Sequence, residues 1–592
     1  MSYSHRDIPV ILDNLMRGLL SIQENNFQVL QVSSDGYPPK KLLTCPLQHF
    51  LKAHLVPAAP CAQRRLDLHC LGTMRGTELK LIKLHVLVES TNVPEAEEWV
   101  KNVMKAAYGP IKPFKRVLIL VNPVGGKGKA RSIVHDTVVP ILSAAGCVTD
   151  LRETTHRSHA EEIAHSMALE YDVIATASGD GLVYEVLNGL ASRLDARHAL
   201  KTPIAPIPTG SANAVCINLF GVKDTFNIPL ASLNIIKGHH LPIDLCSVLL
   251  LPSNTRRFSF LAQAIGLMVD LDIGTENLRW MGDTRFLVGF LKGMVTNRSA
   301  KCRLMLQVEE DDKYEMVKKA RERVQERRGK LVGGGGVDPL VEGAQSLDQH
   351  VNGNGSLPPS PLRSLNGDKP SKLSSPLARA SEDETTADSA SEISNYVPEN
   401  GPIAESKPLQ PDSTWLTIES PAPKPTSRLD MSPLPNPKSP QSSQGGKNPK
   451  FQPEAKTGGW VNGHGILYFY AGMMPWVARD LNQWPVSTPG DGLIDVVVQR
   501  NVPRTQMASA IAGAEKGEAF WLPTQYYYKC KAIVGENLDK VGQPIFTIDG
   551  EAYPFDSFHV EVHPRVANLL SLTGDFYTSE FLEKTDIPLP KK

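Results

Sequence analysis

The sequence predicts a parallel α/β domain followed by a mainly β domain, with a small α+β extension in front and a long low-complexity insertion. Three observations carry this. Between Lys115 and residue 242, three apolar strands each run into a small-residue loop and then a helix, the repeat of a parallel α/β sheet. After Ile243 helices become rarer and strand patterns dominate. From 309 to 458 the chain turns charged and then rich in Pro, Ser, Gly and Asn.

In order, residues 1–112 form the extension. Short apolar runs such as Lys80–Val88 alternate like strands, and Ala96–Tyr108 carries Trp99, Val100, Val103, Met104 and Ala107 on one helical stripe. Strands closed by one helix suggest a pleckstrin-like module, and a packing extension of the next domain is the alternative. Residues 113–242 are the α/β domain. Its strands are Arg116–Val121, Asp172–Ala177 and Ile204–Ile207, runs of the kind buried on both faces of a parallel sheet. Residues 243–308 and 459–592 form the β domain, with strands expected at Arg257–Ala262, Arg303–Val308, Gly465–Tyr470 and Asp495–Gln499. The insertion opens with a solvated charged helix at Glu309–Arg328, ended by the glycines at 333–336. It then lacks the apolar content to offset its ordering entropy. Thr414–Glu419 alternates around a Trp and is expected to dock as a strand on the β domain.

Lys plus Arg equals Asp plus Glu, at 63 each, so nothing favours nucleic acid as a partner. Eight cysteines stand without a CxxC pair, which suggests neither a zinc site nor a disulfide framework and fits a reducing compartment. The N-terminus does not read as a secretory signal, and no run reaches the roughly 18 apolar residues of a membrane span. A chain acting on lipid would visit the membrane surface from the cytoplasm.

The chemistry concentrates in the three loops. Val121-Asn-Pro-Val-Gly-Gly-Lys-Gly-Lys129 lacks Walker spacing. Its glycines still allow backbone N–H groups close to an anion, or form an ordinary turn. Ser178-Gly-Asp-Gly181 places Asp180 after a buried strand and at a helix start. There it can take a proton from an attacking hydroxyl, help hold Mg²⁺, or only cap its helix. Pro208-Thr-Gly-Ser-Ala-Asn-Ala214 again offers small residues and hydroxyls to a nucleotide. All three lie at strand carboxyl ends, where open α/β sheets bind ligands.

Together NPVGGKGKA, SGDGLVYEVLNGL and PIPTGSANA, followed by Val269–Phe286, Pro489–Val498 and Thr547–Glu551, resemble the diacylglycerol-kinase-type catalytic domain, and within it the sphingosine (long-chain-base) kinases. The resemblance covers roughly 115–308 and 459–573. It implies a phosphofructokinase-like α/β domain followed by a β-sandwich lipid-binding domain, with ATP and Mg²⁺ as cofactors. It implies Asp180 as general base, flanked by Ser178 and Gly179 at the substrate hydroxyl. It implies a nucleotide site from Asn122, Pro123, Val124, Thr154, Arg157, Ser158, Glu185, Gly210, Ser211 and Ala212, with Ala212 where the family usually has Gly. Arg279 and Arg285 would hold phosphates, and Asp549, Gly550 and Glu551 would close the cleft. Asp272 aligns with the substrate-recognition aspartate, and no Mg²⁺ ligand is assigned.

The implied reaction is transfer of phosphate from ATP to the primary hydroxyl of a sphingoid base. An acidic Asp272 suits the base's ammonium through a charge-assisted hydrogen bond. Asp270, two residues earlier, reads instead as the solvent-facing side of a strand. Leu267, Met268 and Phe290 are expected against the lipid tail. Ceramide or diacylglycerol as acceptor, an inactive membrane adaptor and a soluble-metabolite kinase are the alternatives. Expected partners are the lipid, a peripheral membrane surface, a second copy in a homodimer, and a regulatory kinase at the Ser-Pro serines 360, 375, 420, 432 and 439.

Overall fold

The computed structural model describes residues 7–12, 16–32, 37–57, 63–73, 79–272, 300–333, 403, 408–420, 465–501, 513–539 and 544–583. Arg279, Arg285, Phe290 and the Ser-Pro serines other than Ser420 lie outside them.

Seven strands open the chain: β1 (Asp7–Ile11), β2 (Arg17–Gln23), β3 (Asn26–Gln31), β4 (Lys40–Pro46), β5 (Phe50–Leu55), β6 (Arg64–Thr73) and β7 (Leu79–Val88). They form one antiparallel sheet in the order β4-β3-β2-β1-β7-β6-β5. Helix α1 (Val93–Tyr108) follows and buries Ala96, Trp99, Val103, Ala107 and Tyr108; of the stripe read from sequence, Trp99, Val103 and Ala107 are buried and Val100 and Met104 half-buried. Trp99 lies 6.2 Å from Phe27 and Phe27 lies 5.0 Å from Phe50, so the helix closes the sheet through an aromatic cluster.

The α/β region begins with β8 (Arg116–Val121), then α2 (Ala130–Ile133), a π-helical turn at Val134–Val138, α3 (Val139–Ala144) and β9 (Val148–Glu153). Helix α4 (His159–Ser166), β10 (Val173–Ser178), α5 (Asp180–Ala191), α6 (Ala196–Ala199), β11 (Ile204–Pro208), α7 (Ala214–Asp224) and α8 (Ile228–Lys237) complete it. Strands β10 and β11 are buried throughout and β8 at every position but Arg116. The four strands run parallel in the order β9-β8-β10-β11. Their registers place Val121 beside Ala177 and Glu153, and Ser178 beside Pro208. All four therefore end level, and the loops that follow leave from one edge.

The β-rich region contains β12 (His239–Leu251), β13 (Thr255–Ser259), β14 (Ala262–Gly266), α9 (Leu267–Asp272), β15 (Cys302–Glu310), α10 (Lys313–Gly333), β16 (Leu416–Glu419), β17 (Ile466–Gly472) and β18 (Ile494–Arg500). It ends with β19 (Gln525–Asn537), β20 (Ile545–Ile548), β21 (Glu551–Pro554), β22 (Ser557–Ser571) and α11 (Glu580–Glu583). Strand β22 joins the two regions: it pairs antiparallel with β12 and β19, and parallel with β11 through Ile204 and Leu569.

Four expectations need correction. The single strand at Arg257–Ala262 is two strands, because the N–H groups of Phe260, Leu261 and Ala262 turn to the Asp549 carboxylate. The segment read as a strand at Asp270 is helix α9; Gly266, at φ 78°, takes the chain out of β14 first. The charged helix α10 is not solvated all round, since Met316, Val317 and Ala320 are buried. Ser420 is buried and its hydroxyl accepts from the Ile466 N–H, so in this fold a protein kinase cannot reach it. The strand β16 lies along β15, pairing Leu416–Glu419 with Leu306–Arg303. The seven described cysteines are free and buried. Among the described residues no helix is long and apolar enough to cross a membrane.

The N-terminal sheet is held to the α/β region by Lys237, at the end of α8. Its ammonium donates to the carbonyls of Leu47 (3.0 Å) and Ala107 (2.8 Å) and lies 4.5 Å from the Tyr108 ring. Burial lowers the Lys237 pKa to about 7, the desolvation cost of an ammonium paired only with neutral groups. Lys237→Met leaves the Ala107 carbonyl without this donor, while Leu47 O keeps its bond from the Phe50 N–H, and is expected to lower stability by about 1–3 kcal/mol. Urea unfolding of the two proteins checks this; an unchanged midpoint would show that the contact contributes nothing.

Candidate active site

The level strand ends bring the three loops into backbone contact. Asn122 N–H donates to Ala177 O at 3.1 Å, and Thr209 N–H to Ser178 O at 3.3 Å. Asn122 Nδ2 reaches Ser178 Oγ at 3.4 Å. The fit requires glycine at three places, the first being Gly126, where a Cβ would lie 2.2 Å from Thr209 O of the third loop. A Cβ on Gly179 would lie 2.4 Å from Ala212 O, and one on Gly210 would lie 2.3 Å from Gly179 Cα; all three are backbone collisions that no rotamer can relieve. The packing thus joins the second loop to the third.

Asp180 sits at the centre of this contact. Its N–H donates to Ala212 O at 3.3 Å. Its carboxylate accepts from Ala214 N–H at 2.7 Å and from Val215 N–H at 3.0 Å. Those are the first amides of α7, so the side chain caps the helix of the third loop and not its own helix α5. Burial raises the Asp180 carboxyl, and the Val215 and Ala214 amides, with its own N–H beside them, pull it back toward the ionised form. An ionised carboxylate has about four lone-pair positions, so two are left to receive a proton or a cation.

The fourth strand end supplies a second capped helix. Thr154 is buried, with its N–H on Val121 O at 2.8 Å. Ser158 adopts a left-handed φ of 66° before α4. Glu185, one turn along α5 from Asp180, accepts the Ala160 N–H at 3.1 Å. Burial raises the Glu185 carboxyl against its bonds from the Ser158 and Ala160 amides. Arg157, exposed beside them, ion-pairs with Glu551 of β21. Tyr184 Oη and Tyr553 Oη meet at 2.8 Å, and Arg257 pairs with Glu161 at 2.7 Å. The β-rich region therefore touches the α4–α5 side of the loops at three places.

The other predicted residues divide. Asn122, Pro123 and Val124 lie on the first loop, with Val124 85% exposed, and Ser178, Gly179, Gly210, Ser211 and Ala212 line the shared edge. Leu267 and Met268 are buried at the start of α9, and Asp272 is its last residue. Gly550, at φ 84°, forms the turn into β21 with Asp549, and Glu551 is the strand's first residue.

Asp549 faces elsewhere. Its carboxylate accepts from Ser259 Oγ (2.7 Å) and from the N–H groups of Phe260 (3.0 Å), Leu261 (3.1 Å) and Ala262 (2.8 Å). Four donors occupy the whole acceptor capacity of the group, so here it fixes the β13–β14 turn. Burial lifts its carboxyl to about 6 even against these bonds.

A metal is not assigned. His156, His159 and Glu162 bring ligating atoms within 4.8 Å of one another. However, His159 Nδ1 already accepts the Thr155 N–H at 3.1 Å, which leaves the proton on the other ring nitrogen.

Sequence reasoning missed Asn188 and Asn218, whose side-chain amides tie α5 and α7 to the β-rich region. The available signal was a polar residue inside an otherwise apolar helical run, which needs a partner once buried. For Asp549, replacement by Asn turns one of the two accepting oxygens into an NH₂, which at the least opposes the Phe260 N–H, and is expected to cost about 1.5–3 kcal/mol. Thermal unfolding of Asp549→Asn tests this, and wild-type stability would refute the anchoring role.

A family model described as the diacylglycerol kinase catalytic domain matches residues 116–248, which contain all three loops. "Sphingosine kinase 2" of Homo sapiens is 30% identical over 488 residues, covering 77% of this chain and 71% of that protein. "Sphingoid long chain base kinase 4" of Schizosaccharomyces pombe is 25% identical, over 82% of this chain and 81% of its own length. "Sphingoid long chain base kinase 5" of Saccharomyces cerevisiae is 28% identical over 83% of this chain, and the match spans 64% of that protein's length. A solved putative diacylglycerol kinase from Bacillus anthracis superposes at a TM-score of 0.42 with 14% identity, covering 78% of this chain and 97% of that one. With a catalytic-domain match across the loops and that level of identity to the human protein over most of both lengths, the chain belongs to the sphingosine kinase family.

Proposed function

We propose that the protein transfers the terminal phosphate of ATP to the primary hydroxyl of a sphingoid long-chain base. The observation that carries this reading is the single sheet edge on which three glycine loops pack around the Asp180 carboxylate. In this reading the α/β region is a phosphofructokinase-like nucleotide domain and the β-rich region a β-sandwich that receives the lipid. The first seven strands and α1 form a pleckstrin-like module.

Phosphoryl transfer asks the protein chiefly for alignment and charge neutralisation. Asn122 to Val124, Gly210 to Ala212 and the α4 start at Thr154 to Ser158 line the nucleotide. Arg279 and Arg285, outside the described residues, hold its phosphates as planar multi-donor cations. A divalent cation on the phosphates supplies further neutralisation when bound, and the two open lone-pair positions of Asp180 suit it or the acceptor. Asp180 takes the proton of the lipid hydroxyl, with Ser178 and Gly179 beside it. Its capping bonds hold the carboxylate still while burial makes it a stronger base than an exposed aspartate. Asp272 receives the ammonium of the sphingoid base, and Leu267, Met268 and Phe290 meet the chain. The lipid is reached by peripheral contact with a membrane.

Incubating the purified chain with ATP, Mg²⁺ and micellar sphingosine, dihydrosphingosine, phytosphingosine, ceramide and diacylglycerol tests the acceptor. Phosphorylation of the bases alone is expected, and preference for an uncharged lipid would overturn the reading. Asp180→Asn keeps both capping bonds possible only in part and removes the base. It is expected to lower turnover by about 10²–10⁴-fold with nucleotide binding retained. In the wild type the acid limb of kcat/KM lies above the ordinary aspartate range, because the deprotonated form is required and burial raises the pKa. Activity is therefore lost as pH falls through that limb. A limb at the value of an exposed aspartate would remove Asp180 from this role. Asp272→Asn is expected to raise KM for the base about tenfold, the effect of a lost charge-assisted bond, with KM for ATP unchanged; equal effects on both would contradict it.

A further inference from the structure

Two buried asparagines make the same unusual contact on the two helices that hold Asp180. Asn188 lies two turns along α5 from Asp180. Its Nδ2 donates to Phe258 O at 2.9 Å and its Oδ1 accepts the Phe258 N–H at 2.9 Å. Asn218 lies one turn along α7 from Ala214, the residue whose amide binds the Asp180 carboxylate. Its Nδ2 donates to Trp476 O at 2.8 Å and its Oδ1 accepts the Trp476 N–H at 2.9 Å. Each Nδ2 also donates to the carbonyl four residues back, Tyr184 at 3.0 Å and Ala214 at 2.8 Å. Asn188 is 3% exposed and Asn218 is fully buried.

The geometry is that of two clamps. Each side-chain amide pairs both polar groups of one backbone residue in the β-rich region, as a neighbouring strand would. An amide alone can do this, since it donates and accepts side by side. The second N–H of each amide goes back into its own helix, which fixes the side chain's rotation. Phe258 opens the segment whose next four residues Asp549 gathers. Trp476 directly precedes Val477 to Arg479, which wall a depression beside the third loop together with Ser211, Ala212, Asn213 and Phe226.

We propose that Asn188 and Asn218 are positioning residues for phosphoryl transfer. They fix the distance between Asp180 and the β-rich surfaces that present the acceptor lipid, and so set the use of the acceptor while leaving ATP binding alone. The inference rests on Asp180 acting as the base, and the test below separates the two ideas.

The experiment uses the full chain with Asn188→Asp, Asn218→Asp and Asn218→Gln, beside Asp180→Asn. Aspartate keeps the shape and the bond from the backbone N–H, but opposes the carbonyl. Glutamine keeps both functions one methylene farther out. On folded protein, each aspartate variant is expected to lose about tenfold or more in kcat/KM for the sphingoid base, since small misplacements are costly in aligned reactions. The Kd for a fluorescent ATP analogue should stay within about twofold in that case, because no nucleotide contact is touched. Asn218→Gln should fall between wild type and Asn218→Asp. A role confined to stability would change the melting temperature and yield but leave kcat and KM of the folded fraction at wild-type values, and that result overturns the proposal. If Asp180→Asn is inactive while both aspartate variants match wild type, the clamps fail and the base assignment stands. If Asp180→Asn is active, the base assignment itself fails. Should the variants not fold, hydrogen exchange of the wild type decides: the Phe258 and Trp476 amides should gain protection when sphingosine and a non-hydrolysable ATP analogue bind together. Unchanged protection there also overturns the proposal.

Discussion

The arrangement of the site depends on one hydrogen-bonded contact, the Asp180 carboxylate on the first two amides of α7. A helix N-terminus presents amides with no partner in the helix and a partial positive charge. The buried carboxylate presents the complement. By meeting, each offsets part of the other's desolvation penalty, and the second and third loops are held together as a result. Glycine at 179 and 210 then follows from sterics, because the backbones cannot approach so closely with a Cβ between them. Function and packing therefore act on the same atoms. Any reaction at Asp180 uses lone pairs that the fold has left over.

The same device recurs around the site with different partners. Glu185 caps α4, Asn227 caps α8 through the Leu230 amide at 3.1 Å, and Asp549 gathers the amides between β13 and β14. In each case a side chain distant in sequence or at a helix edge satisfies backbone groups that secondary structure leaves open. Deeper in the β-rich region, Lys529 lies between Asp491 and Asp495 at 3.1 Å from each, and Tyr527 donates to Asp495 at 2.6 Å. The Gly-Asp-Gly turn before β18 is thus a structural node, and it stands apart from the loops.

Much of the architecture was readable because it is periodic. Arg116–Val121, Asp172–Ala177 and Ile204–Ile207 are almost continuously apolar, which marks them as central strands. The glycine loops had to follow them. The long-range contacts were not readable in that way. Nothing local to Asp549 distinguishes a nucleotide contact from an anchor for a turn nearly 290 residues earlier. Leu267–Asp272 has an alternation that fits a strand, and only the left-handed Gly266 before it decides for a helix. Asn188 stood inside a motif quoted for its aspartate, yet its role depends on a peptide group in another region. Side chains that recognise backbone leave no complementary residue type in the sequence to be found.

The mounting of the 309–458 insertion has a consequence for its length. The chain leaves the β-rich region after β15, through α10, and returns as β16 on that same strand, where Arg303 lies between Glu419 and Glu536. Departure and return thus share one docking point. Lengthening a loop between fixed ends costs only slowly, about 0.6 kcal/mol for each doubling. Changes of length between α10 and β16 are accordingly inexpensive for the fold, while the packed residues of α10 and β16 and the sheet beneath keep their register.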